Sequence, residues 1–260
     1  MKKLLAFLIF ASTAFSTVTL LEPINVGALQ STEVSLGNVM PGQTLELIFT
    51  RDTGTTGQMR AIFWETATAT LPDNSTLKSQ LMGGRLSLKI PIPKGFTGKY
   101  ALSVRMEGTQ IGIIQAETVN LWVNVQNGLY GFDMKPEYHI SAGQPNNIPV
   151  TVTSSSAASD TLSVTSTEGM PFGWFDRQPT YIRYVSSREM NLDIAPFEEG
   201  YYPTKISISR ASDGVLEMKT TAFRVTPTLK SKLKAYSEGI SIVPVILQPF
   251  YSVLSFLGLL

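Results

Sequence analysis

The sequence predicts an all-β chain of two tandem β-sandwiches, and three observations predict it. First, the chain repeats itself. Gly42-Gln43 returns as Gly143-Gln144, an offset of 101 (143 − 42). Leu88-x-Ile90, a proline and Gly98-x-Tyr100 return as Leu192-x-Ile194, a proline and Gly200-x-Tyr202, the last at an offset of 102 (202 − 100). A period of this size exceeds a solenoid unit and suits two small domains in series. Second, both copies alternate apolar and polar residues over short runs, the period of a half-buried strand. Third, glycine, proline, serine and threonine punctuate those runs, and no helical period persists before about residue 229.

Composition narrows the class. The 260 residues allow two domains of about 100 residues each with terminal segments to spare. Charged residues make up 16%, against roughly 25% in a typical soluble domain, as in turn-rich exported β-proteins. The net charge of +1 with no concentrated basic face argues against a nucleic-acid partner. Cysteine is absent, which removes disulfides and thiolate chemistry together.

At the N-terminus, Lys2-Lys3 and the apolar run Leu4 to Ala11 form the basic and hydrophobic regions of a secretory signal, with Ala14-Phe15-Ser16 as a small-x-small cleavage site. Residues 1–16 are therefore expected to be a signal peptide. The alternative is an uncleaved signal anchor, since Leu4 to Leu21 carries no charge.

The first sandwich is expected over residues 22–125. A Pro41-Gly42 turn leads into a strand with Leu45, Leu47 and Phe49 on one face and Thr44, Glu46 and Ile48 on the other. Met59 to Trp64, Arg85 to Ile90, Tyr100 to Met106 and Leu121 to Val125 are further strands, and Asp52 to Gly57 is a turn. Asn74-Ser75-Thr76 matches the N-glycosylation pattern in a polar turn, so Asn74 is a candidate modification site.

The second sandwich is expected over residues 126–228. Ile148 to Val152 turns Ile148, Val150 and Val152 inward. Thr161 to Thr165, Tyr181 to Val185, Met190 to Ile194, Thr204 to Ser209 and Thr220 to Thr226 follow, with an Asp213-Gly214 hairpin turn between the last two. Ser154 to Ser159 is expected to be an exposed serine-alanine hairpin tip. Short strands at regular spacing, each bounded by turn residues, indicate immunoglobulin-like sandwiches.

The tail, residues 229–260, is different. Ile240 to Leu260 has no charge and could reach about 30 Å as a helix, a bilayer core's thickness. Pro244 and Pro249 interrupt it, and Lys230, Lys232 and Lys234 precede it with nothing basic after. A kinked span, a broken hairpin in one leaflet and docking on another membrane protein all remain open. A buried C-terminal helix of a soluble fold is the alternative to membrane association.

Asn147 to Thr153, Asp160 to Val164, Pro171-Phe172-Gly173-Trp174 and Gly200-Tyr201-Tyr202 together resemble the NEW3-type immunoglobulin-like domain. That domain was first noted beside α-galactosidases and is common in archaeal and bacterial envelope proteins. The first sandwich looks like a diverged copy without the Gly-Trp turn. The resemblance implies fold and a cell-envelope location, with the domain an accessory rather than a catalytic part.

The chemical inventory is thin. His139 is the single histidine and falls in a loop-like stretch, so no nucleophile-histidine pair or histidine metal site is expected. Asp52 and Glu198-Glu199 lack calcium-loop spacing, and the two adjacent glutamates do not face one another across a cleft as glycoside hydrolysis requires. No catalytic residue, cofactor or metal is expected. The aromatics Trp64, Trp122, Trp174, Tyr181, Tyr184, Tyr201 and Tyr202 are mostly core, with Trp174, expected partly exposed at a sandwich end, and Tyr201 as possible ligand contacts.

The expected protein is a non-enzymatic, exported envelope protein on the outer face of the cytoplasmic membrane. Its tail, marked by Ile240, Pro244, Pro249 and Leu260, would meet membrane lipid while the sandwiches serve adhesion, spacing or support of a membrane partner. Alternatives are a carbohydrate-binding accessory module taking cell-surface polysaccharide, and an accessory subunit of an integral membrane complex.

Overall fold

The computed structural model describes residues 18–24, 26–28, 33–51, 62–211, 214–229 and 232. The leader, the Asp52 turn, Asp213, and Ile240, Pro244, Pro249 and Leu260 lie outside the described residues. The chain divides into two units, each an immunoglobulin-like sandwich of two sheets.

The first unit takes the described residues to Leu129, together with Ser155–Asp160 and Arg183–Val185. Its strands are β1 (Thr19–Glu22), β2 (Val26–Ala28), β3 (Glu33–Val39), β4 (Thr44–Thr50), β5 (Phe63–Thr70), β6 (Thr76–Lys78), β7 (Gln80–Met82), β8 (Arg85–Pro91), β9 (Gly98–Gln110) and β10 (Ile113–Val125). One sheet runs β2-β1-β4-β8-β7 and the other β3-β10-β9-β5-β6. All pairings are antiparallel except β3 on β10, which is parallel.

The alternation read from the sequence is the burial pattern. Leu45, Leu47 and Phe49 on β4, Leu88 and Ile90 on β8, and Tyr100, Leu102 and Val104 on β9 all point into one core. Val18 and Leu20 are fully buried in that core, and β1 pairs with β4. The sandwich therefore begins before residue 22, and the residues up to Leu21 do not all belong to an anchoring run. Strand β5 continues past Trp64 through Glu65-Thr66-Ala67-Thr68-Ala69-Thr70 because its alanines are small enough to pack inward; Ala67 and Ala69 are both fully buried.

Ser154 to Ser159 is not an exposed tip. Ser156, Ala157 and Ala158 are buried, and the two alanines belong to the first unit's core. Ala157 N–H donates to Asn38 O at 2.7 Å. The Ser156 hydroxyl and Met40 N–H both donate to Gln43 Oε1 at 2.7 Å, and Gln43 Nε2 donates to Asp160 Oδ2 at 3.1 Å. Small side chains that look suited to a solvated turn are here what permits close packing.

The second unit comprises β11 (Tyr130–Asp133), β12 (Glu137–Ser141), β13 (Asn146–Ser154), β14 (Asp160–Glu168), β15 (Gln178–Ile182), β16 (Ser186–Ile194), β17 (Gly200–Arg210) and β18 (Gly214–Thr226). Its sheets run β11-β13-β16 and β12-β18-β17-β14-β15, with β12 parallel to β18. The repeat is thus a repeat of topology. β3 and β12 occupy the same place, as do β9 and β17, which open on Gly98 and Gly200 at positive φ.

Two elements differ from expectation. His139 lies on β12 with an exposed side chain, because its neighbours Tyr138 and Ile140 are the inward residues of that strand. The expected strand Tyr181 to Val185 ends at Ile182; Val185 turns at φ +38° and is exposed, outside any inward alternation.

The turn before the second strand of each sheet pair also diverged. In the first copy Gln43 accepts from Met40 N–H; in the second, Asn146 Oδ1 accepts from Ser141 N–H at 3.0 Å, leaving Gln144 exposed. The glycines that precede them keep one conformation, φ +73° at Gly42 and +77° at Gly143, so the turn persists while its amide partner moved along the chain.

Tyr138 ties the two sheets of the second unit together. Its hydroxyl donates to Pro149 O at 3.0 Å on β13 and accepts from Lys135 N–H at 2.8 Å, and its ring stacks on Phe223 at 5.9 Å. Burial, with a smaller contribution from Asp133, raises its pKa; the hydrogen bond from Lys135 works the other way. The stability it supplies is whole below about pH 10 and is lost as pH rises through the raised folded value. Tyr138→Phe is expected to cost about 1–3 kcal/mol in urea unfolding at neutral pH. The variant should also lose less stability than the parent between neutral pH and pH 11; equal losses would remove Tyr138 as a source of alkaline sensitivity.

Candidate functional site

One end of the second sandwich gathers three of the seven aromatic residues that sequence reading singled out, Trp174, Tyr201 and Tyr202. Strand β18 ends there at Thr226 and β17 begins there at Gly200, which pairs with Val225. The loop from β14 to β15 and the loop from β16 to β17 meet at this end: Ala195 N–H donates to Trp174 O at 2.9 Å, and Gly143 N–H donates to Pro196 O at 2.8 Å.

Within the first of these loops, Pro171-Phe172-Gly173-Trp174 forms a turn, with Trp174 N–H donating back to Pro171 O at 3.4 Å and Gly173 at φ +81°. That turn sends two neighbouring aromatics opposite ways. Trp174 goes in: it is 1% exposed, edge-on to Tyr202 at 4.5 Å and to Phe197 at 6.0 Å. Trp174 is therefore a core residue and not a partly exposed contact. Its Nε1 has no hydrogen-bond partner among the described residues. Phe172 goes out and is fully exposed. Beside it, Ser166, Glu168, Met170, Phe175 and Asp176 help line an open cleft of about 210 Å³.

Phe197 and Tyr201 are each 59% exposed at the same end. Tyr201 lies on the outer face of its sheet, opposite Arg224, whose guanidinium carbon is 5.9 Å from the ring. Arg224 Nε donates to Glu137 Oε1 at 2.9 Å, and His139 Nε2 lies 3.5 Å from the same oxygen. This is a flat patch of one aromatic ring with a hydrogen-bonding rim. Glu198 and Glu199 are exposed in the loop before Gly200, and their charges, after burial, help raise the pKa of Tyr202.

The other candidates fall elsewhere. Asn74 is exposed in the turn between β5 and β6 at φ +64°, with Asn74 N–H donating to Leu71 O at 2.9 Å. Trp64 is buried, Trp122 is half-buried under Lys99, and Tyr184 is half-buried beside Arg183. Tyr181 is exposed on β15. Among the described residues no group of three histidine, aspartate or glutamate side chains sits together to hold a metal ion, and no helix is long and apolar enough to cross a membrane.

Sequence reading missed two apolar surfaces. Phe172 and Phe197 were visible only as ordinary loop phenylalanines; the glycine between Phe172 and Trp174 was the available signal. In the first unit, the turn from β9 to β10 exposes Ile111, Ile113 and Ile114, with Ile111 at φ +53°. A β-branched residue is disfavoured there by roughly 1–2 kcal/mol. The Ile-Gly turn was present in the sequence, masked by its lack of an asparagine or aspartate.

No family model and no curated protein matches this chain. Solved structures that it resembles include a chimeric titin Z1Z2 carrying a peptide from decorin, at 16% identity and TM-score 0.39, covering 83% of this chain and 98% of that one. The fibronectin(III)-like modules of CbhA from Clostridium thermocellum match at 13% identity and TM-score 0.27, over 81% and 94%. An endo-fucoidan hydrolase of glycoside hydrolase family 107, MfFcnA4, matches at 14% identity and TM-score 0.34; 77% of this chain corresponds to 28% of the enzyme.

Proposed function

We propose that this protein is a non-enzymatic envelope protein of the NEW3-type immunoglobulin-like kind, exported and held at the outer face of the cytoplasmic membrane by its C-terminal tail. The sandwiches serve adhesion, spacing or support of a membrane partner. The observation that carries this reading is the order of parts. Strand β18 is paired on both sides, by β12 and β17, and ends at Thr226, and the uncharged stretch from Ile240 to Leu260 follows it in the sequence. An uncharged run of that length favours lipid.

The placement of charge supports it. Lys99–Glu33, Arg105–Glu107 and Arg224–Glu137 are exposed ion pairs spread over strand faces, not acids and bases drawn into a cleft. Cleavage of the leader near Ser16 would leave the buried Val18 and Leu20 in the first sandwich. The exposed isoleucine turn of the first unit suits adhesion, since apolar side chains in a strained turn bring no stability to the free protein.

The test is alkaline extraction of membranes with protease shaving of intact cells, comparing the full chain with one ending at Tyr236. The expected result is that only the full chain resists extraction and that both sandwiches are shaved. Equal release of both versions would overturn the anchoring.

A second reading, carbohydrate recognition, draws on the Tyr201 patch, where a ring flanked by Arg224, Glu137 and His139 matches the stacking-plus-hydrogen-bond chemistry of sugar binding. Its probe is Tyr201→Ala in polysaccharide affinity electrophoresis. Unchanged mobility of parent and variant across a broad sugar set would leave that reading without support.

A further inference from the structure

We propose that the tail-side end of the second sandwich is itself a lipid-contacting face, with Phe172 as a wedge that enters the bilayer and Phe197 and Tyr201 at the headgroup level. This rests on the anchoring role of the tail and adds a second contact to it.

Phe172 is not a loosely draped side chain. The turn that presents it is closed by Trp174 N–H on Pro171 O, and Trp174 beneath it is fixed by Ala195 N–H and by its buried indole. The ideal Cβ position of Gly173 lies 3.5 Å from Phe197 Cζ, so Phe197 packs close to the turn that presents Phe172. Keeping such a ring in water forgoes about 1.5–3 kcal/mol that burial would return.

The occupant follows from where the chain leaves. Ala142 N–H donates to Thr226 O and Thr228 Oγ1 donates to Ala142 O, both at 2.9 Å, which holds the chain to this end through Thr228. Leu229 is exposed immediately after. The lysines at 230, 232 and 234 come next in sequence, then the uncharged run from Ile240. A bilayer that receives the tail is therefore tethered beside the aromatic end. Three lysines attract anionic headgroups by about 1 kcal/mol each when close to the surface. Asp176, Glu198 and Glu199 lie at the same end and keep the entry shallow, because carboxylates are costly below the headgroups. A tyrosine half in water beside an arginine suits the interfacial layer.

The absence of cysteine makes the test direct. Single Phe172→Cys and Ala211→Cys variants of the full chain are labelled with an environment-sensitive fluorophore and reconstituted into vesicles of phosphatidylcholine and phosphatidylglycerol. Ala211 is exposed in the turn at the opposite end of β17. The label at 172 is expected to shift to the blue and to be quenched roughly twofold by nitroxide lipids that report about 5–10 Å below the surface. The label at 211 should do neither. A label at 172 that stays as watery as that at 211, on protein that floats with the vesicles, overturns the wedge and leaves the anchor standing. A blue shift without quenching places the ring against protein and overturns it equally. Protein that fails to float removes both readings.

Discussion

Trp174→Ala should destabilise the second sandwich by about 3–5 kcal/mol, the range for emptying a buried large aromatic site. The side chain is 1% exposed and packs against Tyr202 and Phe197, and its backbone carbonyl receives the Ala195 N–H. Domains are stable by only about 5–15 kcal/mol, so the variant sits near the edge of folding. In thermal unfolding each kcal/mol corresponds to about 4–8 °C for a domain of this size. Trp174→Phe should cost much less, because it keeps most of the ring contacts and removes an indole N–H that has no partner among the described residues. An alanine variant melting with the parent would mean that the indole is not core. The practical consequence concerns ligand assays: sugar binding lost in Trp174→Ala would report unfolding, whereas loss in Tyr201→Ala would report a contact.

Legibility in the sequence tracked the physics of burial. Strands whose inward residues are large, such as Leu45-x-Leu47-x-Phe49 and Tyr100-x-Leu102-x-Val104, announce themselves because transfer from water dominates their placement. Strands whose inward residues are small do not. Ala67 and Ala69 on β5 carry little hydrophobic signal, and the strand is held by pairing with β9 instead. The edge strands β11 and β12 were hidden for another reason: their inward residues Tyr130, Phe132, Tyr138 and Ile140 are large, but each strand is too short to show a sustained alternation. The repeat announced the tandem, since nearly equal offsets, 101 and 102, fall on the turn glycines that both copies need.

The candidate site was legible by neighbourhood and not by side chain. The Pro-Phe-Gly-Trp motif marked the right loop, yet which aromatic points inward depends on the left-handed Gly173 and on space beneath the loop. Neither is a property of local composition. Tyr201 and Tyr202 were a simpler case, where strand alternation alone turns one to solvent and the other toward Trp174.

Ala157→Asp tests the other place where composition misled. A Ser-Ser-Ser-Ala-Ala-Ser stretch has every mark of a solvated tip, but Ala157 and Ala158 are buried in the first unit and Ser156 forms a parallel bridge with Asn38. The Ala157 Cβ lies 3.7 Å from where a Cβ on Gly37 would stand, and Gly37 itself is at φ +98°. Ala157 is 3% exposed, so a longer side chain must displace packed neighbours and a new carboxylate there would be buried. Effective burial of one unpaired carboxylate costs several kcal/mol even after relaxation, and overpacking adds about 1–3 kcal/mol. The first unit should therefore lose more than about 4 kcal/mol, a size reserved for a few named mechanisms of which this is one. Ala157→Gly, which removes a single methyl, should cost only about 1 kcal/mol. Amide hydrogen exchange in the intact chain reads the difference, through faster exchange on β3, β4 and β9. Unchanged exchange in the aspartate variant would return this segment to solvent and with it the composition-based reading. The packing argument predicts the reverse, because at this position the smallness of alanine is what lets two stretches of backbone come close enough to bond.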